Sequence, residues 1–149
     1  MNKKIILLVH GPNLNLLGQR DAAQYGSLTL QQLERHTSNA AAALGYSLMA
    51  YQSNSEGALI DWIQAHAPEA VGIIINPGAL THYSYALYDA LVDTGLPCVE
   101  VHLSDIANRQ PWRATSVIAP ACIAQIMGKK EHGYAEALAV LHEHLQPTV

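Results

Sequence analysis

Between residues 71 and 75 the chain reads Val-Gly-Ile-Ile-Ile, with no polar side chain on either alternate face. Successive side chains of a strand point to opposite sides, so such a run has to be covered on both, as an interior strand of a parallel sheet is. The surrounding sequence agrees. Residues 5–9, 46–52 and 98–103 read as further strands, and a short fifth is predicted at 116–118. Helix signatures lie between them. Thr29 with Gln32 makes a capping box ahead of a stripe of Leu30, Leu33, Ala40, Ala41 and Leu44 that stops at Gly45. Ser53 and Glu56 open a second helix with Leu59, Ile60 and Ile63 on its apolar side, a third runs from about His82 to Thr94, and terminal helices extend to Leu145. Strand and helix in alternation imply parallel pairing with right-handed crossovers. The predicted fold is α/β: a doubly wound, five-stranded parallel sheet with helices on both faces, in a single domain over residues 1–149.

A sheet of this kind takes its ligand at the carboxyl ends of its strands, where the strand order reverses. Residues 10–26, HGPNLNLLGQRDAAQYG, follow the first strand as an unusually long loop, the kind that is usually functional. Leu14, Leu16 and Leu17 are apolar enough to dock it, Asn13, Asn15, Arg20 and Tyr25 supply polar chemistry, and Gly18 and Gly26 bracket it as hinges of a lid. A phenol with a pKa of about 10 is a poor base at neutral pH, and a guanidinium beside it favours the phenolate. Arg20 and Tyr25 are therefore a candidate activated base, although in isolation the pair reads as a surface arginine and a packing tyrosine. The third strand delivers Asn76, Thr81 and His82, and the fourth delivers Glu100, His102 and Ser104. Period two puts Glu100 and His102 on the same side, where the carboxylate orients the imidazole and favours its protonated form. His102 is accordingly a candidate general acid.

Charge narrows the ligand. A net charge of −4 and a pI of about 6.0 argue against nucleic acid or an anionic membrane as partner. Of four arginines, Arg20, Arg109 and Arg113 fall in loops and only Arg35 on a helix surface, so an anionic ligand is met locally. With 50% hydrophobic and 13% charged residues, the surface is lean in charge, which favours an oligomer. Cys98 and Cys122 have no paired spacing, and Lys3 and Lys4 precede an apolar run shorter than a signal peptide's, so a cytoplasmic protein without disulfides is expected. His142-Glu143-His144 lacks the i, i+4 spacing of a helical metal site and reads as a solvated face, as do His36 and His66; no metal is expected. Lys3, Lys4, Lys129 and Lys130 all lie away from the strand ends, leaving no Schiff-base nucleophile. A flavin phosphate would want Gly, Ser and Thr where the first loop has Leu and Asn, and a receiver domain would want an aspartate where Asn76 stands. A noncatalytic binder of a cyclic hydroxy acid could keep the pocket, but it needs neither a base nor an acid.

Taken together, GPNLNLLGQR with Tyr25-Gly26, QSNSEG, NPGALTHYS, VEVHLSD and RQPWR resemble the type II 3-dehydroquinate dehydratases, from Ile5 to the GYAEAL segment near the C-terminus. The resemblance implies a flavodoxin-like fold, no cofactor, and assembly into trimers and commonly a dodecamer of four trimers. It also implies dehydration of 3-dehydroquinate to 3-dehydroshikimate by anti elimination through an enolate, without metal or Schiff base, in the shikimate pathway or in quinate breakdown. By the same resemblance Tyr25 is the base activated by Arg20, Asn13 helps hold a water at the enolate oxygen, and His102, oriented by Glu100, is the general acid. Asn76, His82 and Arg113 are implied to bind the ring hydroxyls, Ser104 and nearby backbone amides such as that of Leu103 the carboxylate, and Asp89 to reach the site of a neighbouring subunit. The chain departs from the family pattern with Asp21-Ala22 for Glu-Pro, Tyr88 for an arginine, Gln110 for a glutamate, Trp112 for a phenylalanine and Ala114 for a histidine. Loss of that proline is expected to loosen the lid.

Overall fold

The apolar run at 71–75 lies where its lack of a polar face requires, at the centre of the sheet. In a computed structural model describing residues 4–148, the strands are β1 (Lys4–His10), β2 (Tyr46–Gln52), β3 (Ala70–Asn76), β4 (Cys98–His102) and β5 (Ala124–Met127). All pair in parallel, in the order β2-β1-β3-β4-β5. The helices of the described residues are α1 (Ala22–Tyr25), α2 (Leu30–Ala43), α3 (Glu56–His66), α4 (Tyr85–Thr94) and α5 (His132–Leu145). Period two divides the strands between two cores. Ile6, Leu8, Ile74, Val99 and Val101 pack with Leu33 of α2 and Leu138 and Leu141 of α5 on one face. Leu7, Val9, Ile73 and Ile75 pack with Leu59 and Ile63 of α3 and Leu87 and Leu91 of α4 on the other. This is a doubly wound, flavodoxin-like sheet, and its order reverses at β1 and β3.

Local signals placed most boundaries. At α2 the capping box is complete: Thr29 Oγ1 accepts from Gln32 N at 3.2 Å, and Gln32 Oε1 accepts from Thr29 N at 2.9 Å. Other expectations are corrected. The cap of α3 is Ser55 rather than Ser53, because Ser55 Oγ takes the Ala58 N–H at 3.3 Å while Ser53 Oγ takes that of Ser55 itself. The helix expected from His82 starts at Tyr85, because Ser84 caps it and residues Gly78–His82 form a 3₁₀ turn instead. The fifth strand is not 116–118 but Ala124–Met127, whose register against β4 sets Val99 opposite Ala124 and His102 opposite Met127. The backbone of residues 116–118 bonds the turn after β3 rather than β4, through Val117 N to Thr81 O at 2.7 Å, and one helix, α5, replaces the several terminal ones. No helix among the described residues is long and apolar enough to cross a membrane.

The switch point is tightly built. Gly11 N donates to Asn76 O at 2.7 Å, and a Cβ on Gly11 would lie 2.3 Å from the Pro77 carbonyl oxygen. Only glycine allows the chains leaving β1 and β3 to touch there. Beyond it, Leu14 and Leu17 are buried and anchor the long loop, whereas Leu16 is exposed and does not dock. Asp21 caps α1 through Ala23 N at 3.0 Å.

Candidate active site

At the carboxyl ends of β1, β3 and β4 the strand ends and loops line one cleft, where a sheet of this kind takes its ligand. Its floor comes from the strand ends, Asn76 of β3 and His102 of β4, both buried. Asn76 Oδ1 accepts from Gly78 N at 3.1 Å, and its Nδ2 lies 3.4 Å from Tyr134 Oη, so both ends of the amide are engaged. One wall is the loop after β1. There Asn13 stands in the left-handed region at φ 71°, a conformation asparagine tolerates better than most side chains. Its N–H is held by Asn54 Oδ1 at 2.9 Å.

Tyr25, at the end of α1, faces the cleft between two guanidinium groups. Arg20 lies over the ring, its Cζ 3.7 Å from the centroid, in cation–π contact. The phenol oxygen itself is taken by a different residue: Arg109 Nη1 donates to Tyr25 Oη at 2.9 Å and to Ser104 Oγ at 3.1 Å. The cation expected beside the phenol was Arg20; the structure gives Arg20 the ring face and Arg109 the oxygen. Arg109 carried no assigned role in the sequence, although its place among three loop arginines was a signal. Arg113 completes the set, with its Cζ 4.1 Å over Trp112 and its Nε on Gln110 Oε1 at 2.7 Å. Partial burial and the nearby Arg109 charge lower its pKa from the ordinary arginine value. No Asp or Glu lines the cleft among the described residues, so an anion is drawn to three positive charges in a protein of net charge −4.

The floor holds the second titratable pair, at the end of β4. Glu100 is fully buried behind His102 and bonded to its Nε2, as period two predicts. Ser116 Oγ donates to Glu100 Oε1 at 2.9 Å, and the Thr81 hydroxyl also donates to the carboxylate. Burial pushes the Glu100 carboxyl up, but the His102 bond and charge, with the Thr81 and Ser116 hydroxyls, outweigh it and hold it below the ordinary carboxylate value. His82 lines the cleft with its Nδ1 donating to Thr115 O at 2.8 Å, which leaves Nε2 free.

The fold thus gathers Asn13, Arg20, Tyr25, Asn76, His82 and His102 around one cleft, with Leu103, Ser104 and Arg113 at its rim and Glu100 buried against it. Asp89 does not join them within one chain; it is exposed on α4. Among residues outside the site, His142 is not a solvated side chain as expected, because its Nδ1 meets Tyr46 Oη at 2.8 Å and the rings pack edge to face. Burial pushes the Cys98 thiol up to about 12, which makes it inert.

Similarity to known proteins agrees with this geometry. Residues 4–142 match the family model for dehydroquinase class II. The chain belongs to that family. It is 53% identical to the 3-dehydroquinate dehydratase of Roseiflexus castenholzii over 133 residues, covering 89% of this chain and 85% of that one. With the 3-dehydroquinate dehydratase of Bacillus cereus the identity is 48%, over 96% of this chain and 98% of the other. The crystal structure of type II dehydroquinase from Butyrivibrio crossotus superposes with a TM-score of 0.90 at 40% identity, covering 93% of this chain and 97% of that one. In this dehydroquinase-family chain, the arginines, Tyr25 and the Glu100–His102 pair are the groups whose chemistry remains to be assigned.

Proposed function

We propose that this cleft dehydrates 3-dehydroquinate to 3-dehydroshikimate by anti elimination through an enolate, as a step of aromatic biosynthesis in the shikimate pathway or of quinate breakdown. The observation that carries the reading is the Arg109–Tyr25 Oη hydrogen bond in the same cleft as the His102–Glu100 pair. The cleft offers both a base and an acid. Tyr25, as phenolate stabilised by Arg109 and Arg20, takes the proton from the carbon beside the ketone, and the electron pair moves onto the carbonyl oxygen. Asn13 helps hold a water that stabilises the resulting enolate. The enolate collapses, the bond to the tertiary hydroxyl breaks, and His102 gives that oxygen a proton so that it leaves as water. Glu100 keeps the imidazolium oriented; elimination leaves Tyr25 protonated and His102 neutral, and proton exchange with water restores both before the next turnover. Asn76, His82 and Arg113 hold the ring hydroxyls, and Ser104 with the backbone amide of Leu103 holds the carboxylate. No lysine lines the cleft among the described residues, so a Schiff base has no nucleophile there.

The test is ultraviolet absorbance of the protein mixed with 3-dehydroquinate, with and without borohydride. A rise from the conjugated enone carboxylate, insensitive to borohydride, is expected. No rise from folded protein would leave a binder of a cyclic hydroxy acid as the better reading. Assembly into trimers, and of four trimers into a dodecamer, belongs to the same proposal, with Asp89 completing a neighbour's site. The exposed Tyr83 and Tyr85 beside α4, 62% and 69% accessible, support a covered face there. Sedimentation of the active material as a monomer would refute it.

The Arg109 contact has its own expected result. Arg109→Met removes a charged hydrogen bond and is expected to lower kcat by about 10- to 100-fold. Arg109→Lys, keeping charge without the planar fork, recovers part of that. Steady-state rates within about twofold of the parent for Arg109→Met would show that the phenol oxygen does not depend on it.

A further inference from the structure

We propose that Ser116, which does not line the cleft, is a positioning residue for its acid side: its hydroxyl fixes the Glu100 carboxylate that in turn aims His102. The inference rests on reading Glu100 and His102 as the acid pair. Its basis is the proton accounting at one oxygen. Ser116 Oγ accepts from Ile118 N at 3.1 Å and from Ala119 N at 3.0 Å, so both of its lone pairs are occupied. Its single proton is left to donate, and the carboxylate oxygens lie 2.9 and 3.0 Å away. The Glu100 carboxylate accepts that proton. Thr81 sits 2.8 Å from Ser116 and donates to the same carboxylate. Ser116 contacts both oxygens and Thr81 bonds Oε2, which fixes the carboxylate with Oε2 presented to His102 Nε2. The imidazole is thereby left with Nδ1 as the nitrogen that can exchange a proton with a ligand.

The backbone supports Ser116 on both sides. Thr115 O accepts from His82 Nδ1 at 2.8 Å, and Val117 N donates to Thr81 O at 2.7 Å. Residues 115–117 are therefore strapped to the turn after β3, and the strap begins just beyond Arg113. Through Ser116 the loop that carries Arg109 to the phenol of Tyr25 is tied to the acid pair. Of the two hydroxyls on Glu100, that of Ser116 is the one aimed by backbone amides, which makes it the pre-organised member.

A double-mutant cycle tests this. Ser116→Ala is expected to lower kcat about tenfold, the worth of one hydrogen bond to a charged group, with KM changed by less than about twofold. In a Glu100→Gln background, which itself lowers kcat, adding Ser116→Ala is expected to change kcat by no more than about twofold, because the carboxylate it acts through is gone. An equal loss in both backgrounds would show that Ser116 only packs the loop, and would overturn the proposal. So would an unaltered kcat in Ser116→Ala beside a lowered one in Glu100→Gln, a result that leaves the acid pair standing. An unaltered kcat in Glu100→Gln would instead remove the acid pair, and the proposal with it. If Ser116→Ala does not fold by circular dichroism, Ser116→Cys, nearly isosteric and a weak donor, goes through the same cycle with the same outcomes.

Discussion

Tyr25→Phe is expected to reduce kcat by about 10²- to 10⁴-fold, the range for loss of a general base. The substitution removes one oxygen and little else. The ring on which Arg20 lies, at 3.7 Å, is retained, and Arg109 keeps its bond to Ser104 Oγ at 3.1 Å. Tyr25 Oη is 2.9 Å from Arg109 Nη1, so the lost atom is the one on which the site concentrates positive charge. Binding should persist: calorimetry with the product is expected to give a dissociation constant within about tenfold of the parent, the loss of one hydrogen bond. Exchange of the substrate's α-hydrogen in deuterated water, followed by NMR, is expected to vanish with turnover. Near-normal turnover would show that the proton leaves to another group.

His102→Ala is expected to lower dehydration by a similar factor, about 10²- to 10⁴-fold, by removing the general acid. Its signature differs from that of Tyr25→Phe. The base is untouched, so exchange of the α-hydrogen should continue while elimination fails, and the two variants separate the two halves of the reaction. His36→Ala is the control, because His36 is exposed on α2. Equal losses in the two histidine variants would strip His102 of its special role. The change also leaves Glu100 buried without its imidazole partner, so thermal unfolding is measured alongside. His102→Gln, which offers an amide donor to the carboxylate, should recover stability without activity.

Much of this molecule is written in short windows. The apolar run of β3, the Thr29–Gln32 box and the same-side placement of Glu100 and His102 each depend on residues a few positions apart, and each appears in the structure as expected. Parallel pairing followed as well, because alternating strand and helix leaves crossover connections. The convergence of Asn13, Asn76 and His102 on one cleft then follows from where the strands end. The family motifs carried the chemistry further than any local pattern could.

What escaped is long-range or competitive. Arg109 and Tyr25 are 84 positions apart, and nothing near either residue says which arginine reaches the phenol oxygen and which the ring. Ser116 reads locally as part of an apolar strand; its hydroxyl is drawn instead to a buried carboxylate 16 positions away. With that segment strapped to the turn after β3, the edge beside β4 falls to Ala124–Met127. His142 was mistaken for surface for a related reason, since its partner Tyr46 lies on β2, 96 positions earlier. Periodicity and capping act within a turn of the chain and so are legible in order. Which loop side chain meets which depends on where strands stand in the sheet, and buried charges select their donors only after that arrangement exists.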